Sequence, residues 1–338
     1  MIKRDRVICA IKHVEPDIIP HNIYFTTEAY AKMAAYYGDD KFIEKINNHI
    51  AEAGCDNFLT QTEAGFYKDI FGVVWDKRRD KDIGVISNYV LPGPEITGFT
   101  LPDIDEKKLR ANYAVLSANK ESFRFAIISF SLFERAWTLC GMENVLTYML
   151  CEKSFLHGLL DLICERNLKI IKIALEYDID GFHFGDDWGQ QKGMIMGPVL
   201  WREFIKPRLQ KMYAPIKNAG KFVSQHSCGD ISEIFPDLID TGLDVYQTFQ
   251  PEIYDIAHIK KKFGSRLTFW GGISTQRVLA HGSAIDVRNE MLKTMKTMGK
   301  DGGYILAPTH AVPGDVSAEN IDIFIKIANN QANRLYHF

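Results

Sequence analysis

Residues 221–249 read KFVSQHSCGDISEIFPDLIDTGLDVYQTF, and this stretch decides the fold. KFVSQHSCGD starts as a short strand-like run and ends in polar residues. ISEIFPDLIDTG spaces its apolar residues as a helix does and stops at Gly242. LDVYQTF is strand-like again. A strand, a helix and a strand in so short a span read as a crossover between parallel strands. Downstream the rhythm continues. DIAHIKKKFG (255–264) reads as a helix, LTFWGGIS (267–274) as a strand and 284–299 as a helix. GGYILAPTH (302–310) is the last clear strand, and 317–334 is a closing helix with Ser317 at its start. Upstream, 198–219 is helical from Pro198 with a break expected at Pro207, and DGFHFGDD (180–187) is a strand. Residues 155–178 are a helix, FRFAIISF (123–130) a strand, and IIPHNIYF (18–25) a first strand with a helix after it. The total approaches eight units, so an α/β chain folded as a (β/α)8 TIM barrel is expected. A doubly wound open sheet is the alternative, but no Gly-x-Gly-x-x-Gly follows a strand.

Residues 65–105 interrupt the rhythm with glycines and prolines. FGVVWDKRRD (71–80) and VISNYVLPG (85–93) suggest an inserted β-hairpin region at one rim. Residues 1–338 are then expected to form a single barrel domain. The composition agrees: 46% apolar and 25% charged residues exclude a disordered or coiled-coil chain. With 40 basic and 43 acidic residues, the net charge of −3 gives no reason to expect nucleic acid or an anionic membrane as partner. The N-terminus has no apolar run of signal-peptide length, and no apolar stretch approaches a membrane span. A soluble cytoplasmic protein with a small-molecule substrate is expected, and a homodimer is compatible with the sequence. Six cysteines are too few for a disulfide scaffold. Cys9, Cys140, Cys151 and Cys164 sit among apolar neighbours and read as small buried residues.

Active sites of (β/α) barrels lie at the C-terminal ends of the strands. The expected strand ends here carry Glu134, Asp186 and Asp187, then Gln225, His226 and Cys228, then Gln250 and Glu252, then Gln276, and finally His310 and Asp315. Each strand thus runs from apolar to polar. Within this set His226-Ser227-Cys228 is the sharpest item, because residues i and i+2 of an extended segment point the same way. A histidine nitrogen and a thiolate can converge on one zinc ion. The competing reading is a pocket histidine beside a structural cysteine. A third ligand would come from His310, Asp186, Asp187 or Glu134. Adjacent Asp186 and Asp187 point to opposite sides, so one faces the mouth and the other caps a helix or holds a backbone amide. Trp188 either walls an apolar pocket or packs in the core. Gly271-Gly272 suits a tight turn or the close approach of a ligand. His183 reads as an interior histidine and Lys260–Lys262 as a solvated helix face.

GDDWGQQKGMIMGPVLWREFIKPRLQKMYAPIKNAG (185–220), HSCGDISEIFPDLIDTGLDVYQ (226–247), WGGISTQ (270–276) and GGYILAPTHAVPGDVSAENI (302–321) resemble the uroporphyrinogen decarboxylase superfamily. The resemblance covers most of residues 1–335 and is strongest from 180 onward. It implies a (β/α)8 barrel with a deep cleft at the C-terminal strand ends. One branch of the family decarboxylates uroporphyrinogen without a cofactor and binds its carboxylates with an arginine-rich segment after the first strand. Here that stretch is His21-Asn22-Ile23-Tyr24-Phe25-Thr26-Thr27-Glu28, with no arginine. Asp56 lies roughly where that branch places its key aspartate. The other branch comprises cobamide-dependent methyltransferases, which bind zinc through His-x-Cys and a distant cysteine. His226 and Cys228 match the pair, whereas Thr309-His310 stands where the family has the cysteine. The resemblance therefore implies zinc held by His226, Cys228 and His310. It also implies a methylcobamide carried on a separate corrinoid protein. Asp187, Asp186 and Glu134 would be catalytic groups, and Gln225, Gln250, Gln276 and Trp188 would contact substrate. A cofactor-independent decarboxylase is the alternative function, and a barrel that binds without catalysis is a third.

Overall fold

The computed structural model describes residues 1–54 and 59–331. Seven main strands follow one another along the chain, interleaved with helices. They are β1 (Ile50–Gly54), β2 (Phe123–Ile128), β3 (Gly181–Gly185), β4 (Phe222–His226), β5 (Val245–Phe249), β6 (Thr268–Ile273) and β7 (Tyr304–Pro308). The chain is thus an α/β protein whose strands alternate with helices. Every strand expected from residue 123 onward is present. β1 was not foreseen, because HIAEAG offers no apolar run.

The chain divides into two compact units. The first comprises residues 1–51, 119–124 and 244–338. In it β5 pairs parallel with β6 and β6 with β7, in the registers Val245↔Thr268 and Phe269↔Tyr304. All three strands are buried throughout, as expected for parallel strands covered on both faces. The expected strand at 18–25 is not a strand. Its backbone makes two isolated parallel bridges, His21↔Leu306 and Phe25↔Val312. Pro20 has no N–H to give a ladder. Side-chain amides take over part of the pairing: Asn48 Oδ1 accepts from Ile23 N at 2.9 Å and Asn22 Oδ1 from Ile50 N at 3.4 Å. The helices of this unit begin where the sequence supplies caps. Asp255 accepts from His258 N ahead of Ile256–Phe263, and Ser283 with Asp286 forms a capping box on Ala284–Gly299. Ser317 caps the last helix, which spans Ala318–Asn329 rather than reaching 334; residues 332–334 lie outside the described residues. Gly271 and Gly272 lie inside β6 and not in a turn; a Cβ at Gly271 would come within 2.8 Å of the Phe249 nitrogen. Lys261 and Lys262 are exposed as expected, whereas Lys260 donates to Gly302 O at 2.6 Å.

The second unit comprises residues 52–118 and 125–243. Here β2 pairs parallel with β3, and β3 with β4. The long helix Lys153–Ala174 starts and ends slightly before the expected 155–178. The 198–219 helix is two helices, Gly197–Phe204 and Lys206–Asn218, with Pro207 in the first turn of the second. Proline at that position lacks an N–H that no helical carbonyl would have accepted. The expected hairpin is larger than foreseen: Thr60–Glu63, Phe66–Lys68, Val74–Asp76 and Val85–Ile86 form a four-stranded antiparallel sheet. Of the four cysteines read as buried, Cys140 and Cys164 are, Cys9 is half-buried, and Cys151 is exposed. No helix among the described residues is long and apolar enough to cross a membrane.

Candidate metal centre

β3 and β4 run in register, with His226 beside Gly185. The residues that follow each strand are therefore brought side by side. Asp186 turns into the protein and is fully buried. Its carboxylate accepts from Leu132 N at 3.2 Å, Phe133 N at 3.0 Å, Glu134 N at 2.7 Å and Trp188 Nε1 at 2.6 Å. These amides open the helix Phe133–Cys140, whose own N-cap residue, Leu132, offers no side-chain cap. Asp186 thus caps a helix from a distant part of the chain and fixes Glu134 in place.

Asp187 turns the other way. Its Oδ1 accepts from Cys228 N at 2.7 Å and lies 3.4 Å from His226 Nε2. His226 Nε2 is 3.6 Å from Cys228 Sγ. His226 and Cys228 thus form a pair of metal-capable side chains at the end of β4. Two glycines bring the loops after β3 and β4 into contact. Gly229 has φ +77°, and a Cβ there would come within 2.1 Å of the Gly189 carbonyl carbon. A Cβ on Gly189 would meet Cys228 O at 2.6 Å. Ser227 ties the same loops together, accepting from Trp188 N at 2.9 Å and donating to Cys228 O at 3.2 Å.

The charges around this point are strongly coupled. Burial pushes the Glu134 carboxyl well above the usual range, and the Asp187 and Asp186 charges push it further. Burial raises Asp186 to about 6 in spite of the amides and indole that bind its ionised form. Burial acts in the same direction on Asp187, but the hydrogen bonds and charge of His226 outweigh it and hold that carboxyl at about 2. Burial would lower His226, yet Asp187 and the Cys228 sulfur raise it well above the ordinary imidazole value. His183 is half-buried, its Nδ1 2.8 Å from Ser224 Oγ, and burial with the nearby His226 lowers it to about 3.

The remaining expected site residues are placed unequally. Trp188 is fully buried against Trp201, with ring centroids 5.4 Å apart. Gln225 is also fully buried: its Oε1 accepts from Tyr213 Oη at 2.7 Å and its Nε2 donates to His226 O at 2.8 Å. Through these bonds it ties the end of β4 to Tyr213. Gln250 is buried with an unpartnered Nε2, whereas Gln276 and His310 are exposed. Asp56 lies outside the described residues. Gly189, Gly229 and Ser227 were missed; the His-x-Cys-Gly run carried the only signal for the second glycine.

The uroporphyrinogen decarboxylase (URO-D) family model matches residues 3–331, so the chain belongs to this family. A methyltransferase from Methanosarcina mazei has a similar structure, with a TM-score of 0.74 at 15% identity over 98% of this chain and 100% of that one. A B12-independent methionine synthase from Shewanella sp. W3-18-1, solved with selenomethionine, aligns with a TM-score of 0.51 at 10% identity over 94% of this chain and 96% of the other. At these identities the likeness is one of fold. The family and both neighbours carry enzyme names. None of the curated proteins matches.

Proposed function

We propose that this chain is a zinc-dependent methyltransferase that moves a methyl group between a separate corrinoid protein and a small thiol or methylated substrate. His226, Cys228 and His310 would hold the metal. The observation that carries this reading is the 3.6 Å between His226 Nε2 and Cys228 Sγ. Zinc–nitrogen and zinc–sulfur bonds of about 2.0–2.1 and 2.3 Å, meeting at a tetrahedral angle, require about 3.6 Å between the two ligand atoms. Three protein ligands would leave a fourth position for substrate. Zinc bound there supplies a Lewis acid that favours the thiolate over the thiol near neutral pH.

The chain's own residues do the rest. Asp187 holds the Cys228 amide and so fixes the direction of its sulfur. Burial and the Asp187 and Asp186 charges raise the Glu134 carboxyl well above its usual range, which would suit it to a proton-donor role. Gln250 and Gln276 would orient the substrate. The segment around 20–25, bonded to both β7 and the approach to β1, would complete an eight-membered (β/α) barrel. The five free cysteines among the described residues suit a reducing cytoplasm.

The test uses purified protein, methylcobalamin and 2-mercaptoethanol. Demethylation of the corrinoid should require zinc and fall to background in Cys228→Ser and His226→Ala. Equal rates in the variants would overturn the reading. The family match itself favours a second reading, a decarboxylase. Against it, residues 21–28 supply no arginine for a polycarboxylate substrate. Conversion of uroporphyrinogen by metal-free protein would establish that alternative.

A further inference from the structure

A second polar cluster lies in the unit that holds His226. It surrounds a small cavity lined by Phe71, Ser129, Phe130, Arg135, Arg166 and Asn167 among others. The centre of a water-sized sphere can move over about 20 Å³ inside it. That is room for a water or a monatomic ion. Ser129 and Phe130 directly follow β2, and Phe130 has φ +52°, a left-handed conformation rare for an aromatic residue. Both arginines sit against the Phe71 ring, with guanidinium carbons 3.7 Å (Arg135) and 5.0 Å (Arg166) from its centroid. Arg135 is 3% exposed and Arg166 9%.

Among the described residues, only one of these two charges has an ion-pair carboxylate. Asp69 Oδ2 receives Arg135 Nη1 at 3.2 Å and Trp75 Nε1 at 3.3 Å. Its Oδ1 receives Phe71 N at 2.9 Å and Val73 N at 3.0 Å. Asp69 therefore has no lone pair left for the second guanidinium. Arg166 gives Nε to Pro102 O at 3.0 Å, and its Nη2 has no partner among the described residues. A guanidinium buried without a counter-charge is costly. Burial and the neighbouring Arg166 both pull Arg135 down, to about 10, against the opposing pull of Asp69. A second negative charge in the cavity would relieve both arginines.

We infer that this cavity binds a small monovalent anion between Arg135 and Arg166. The anion is a free halide. The experiment measures thermal unfolding of the full chain at constant ionic strength, with sodium bromide titrated against sodium acetate, whose anion is too large for the cavity. A saturable rise in Tm with bromide is expected, and it should disappear in Arg166→Gln. If that variant fails to fold, crystals of the unmutated protein soaked in bromide decide the matter: an anomalous bromide peak between Arg135 and Arg166 supports the inference. No saturable shift with bromide, or a cavity holding only water in the soak, overturns it.

Discussion

At the residue scale, the two adjacent aspartates do separate work, and each can be tested by itself. Asp186 satisfies three backbone amides and one indole N–H in a fully buried place. Asp186→Ala leaves them all unpaired, at a cost on the order of 3–5 kcal/mol. Urea unfolding should show that loss; a change below about 1 kcal/mol would contradict the capping role. Asp187→Asn should leave stability nearly unchanged but weaken zinc binding by about 10–100-fold, because it loosens the Cys228 amide and not the core. Competition with a zinc-sensitive chelator reads that difference. His226 and Cys228 were legible because spacing of two on a strand puts both on one side. Which aspartate faced them was not legible, since alternation fixes opposition and not direction. The full burial of Trp188 and Gln225 was not legible for a related reason. Their polar atoms find partners within the fold, and no local pattern announces a distant backbone amide.

At the element scale, strands with apolar runs were readable and those without were not. β6 and β7 are buried over their whole length and carry continuous apolar sequence. β1 holds Glu52 and two alanines and owes its extension to its neighbours, a tertiary influence that propensity does not record. The 18–25 segment failed in the opposite way: its apolar residues suggested a strand, but Pro20 and side-chain amides replaced the ladder. The loops after β3 and β4 meet at Gly189 and Gly229. Gly229→Ala places a side chain on a left-handed residue and against the Gly189 carbonyl. The backbone strain alone is worth roughly 1–3 kcal/mol. A lowered Tm with reduced zinc content is expected, and an unchanged Tm would show that the loops can separate freely.

At the scale of the whole molecule, acid should unfold this protein through histidines as well as carboxylates. His21 and His49 pack edge to face at 4.5 Å. Burial lowers His21 to about 4, and burial with the His21 charge lowers His49 to about 2. Both are neutral in the folded chain, whereas the unfolded chain takes up protons below about pH 6.5. Their contribution is therefore complete above that pH and is lost as the pH falls. By pH 5 the loss should reach up to about 2 kcal/mol for each histidine. Denaturant unfolding at pH 7.5 and 5 measures it, and His49→Gln should flatten the dependence. A pH dependence that is the same in His49→Gln as in the unmutated protein would contradict the buried neutral state.

The most direct measurement of the central claim is the zinc content and coordination of the purified protein. One zinc per chain is expected. Its X-ray absorption should show a single sulfur at about 2.3 Å with nitrogen or oxygen near 2.0–2.1 Å, and the sulfur shell should vanish in Cys228→Ser. Less than about half an equivalent of zinc, unchanged by that substitution, would contradict a metal site at His226 and Cys228.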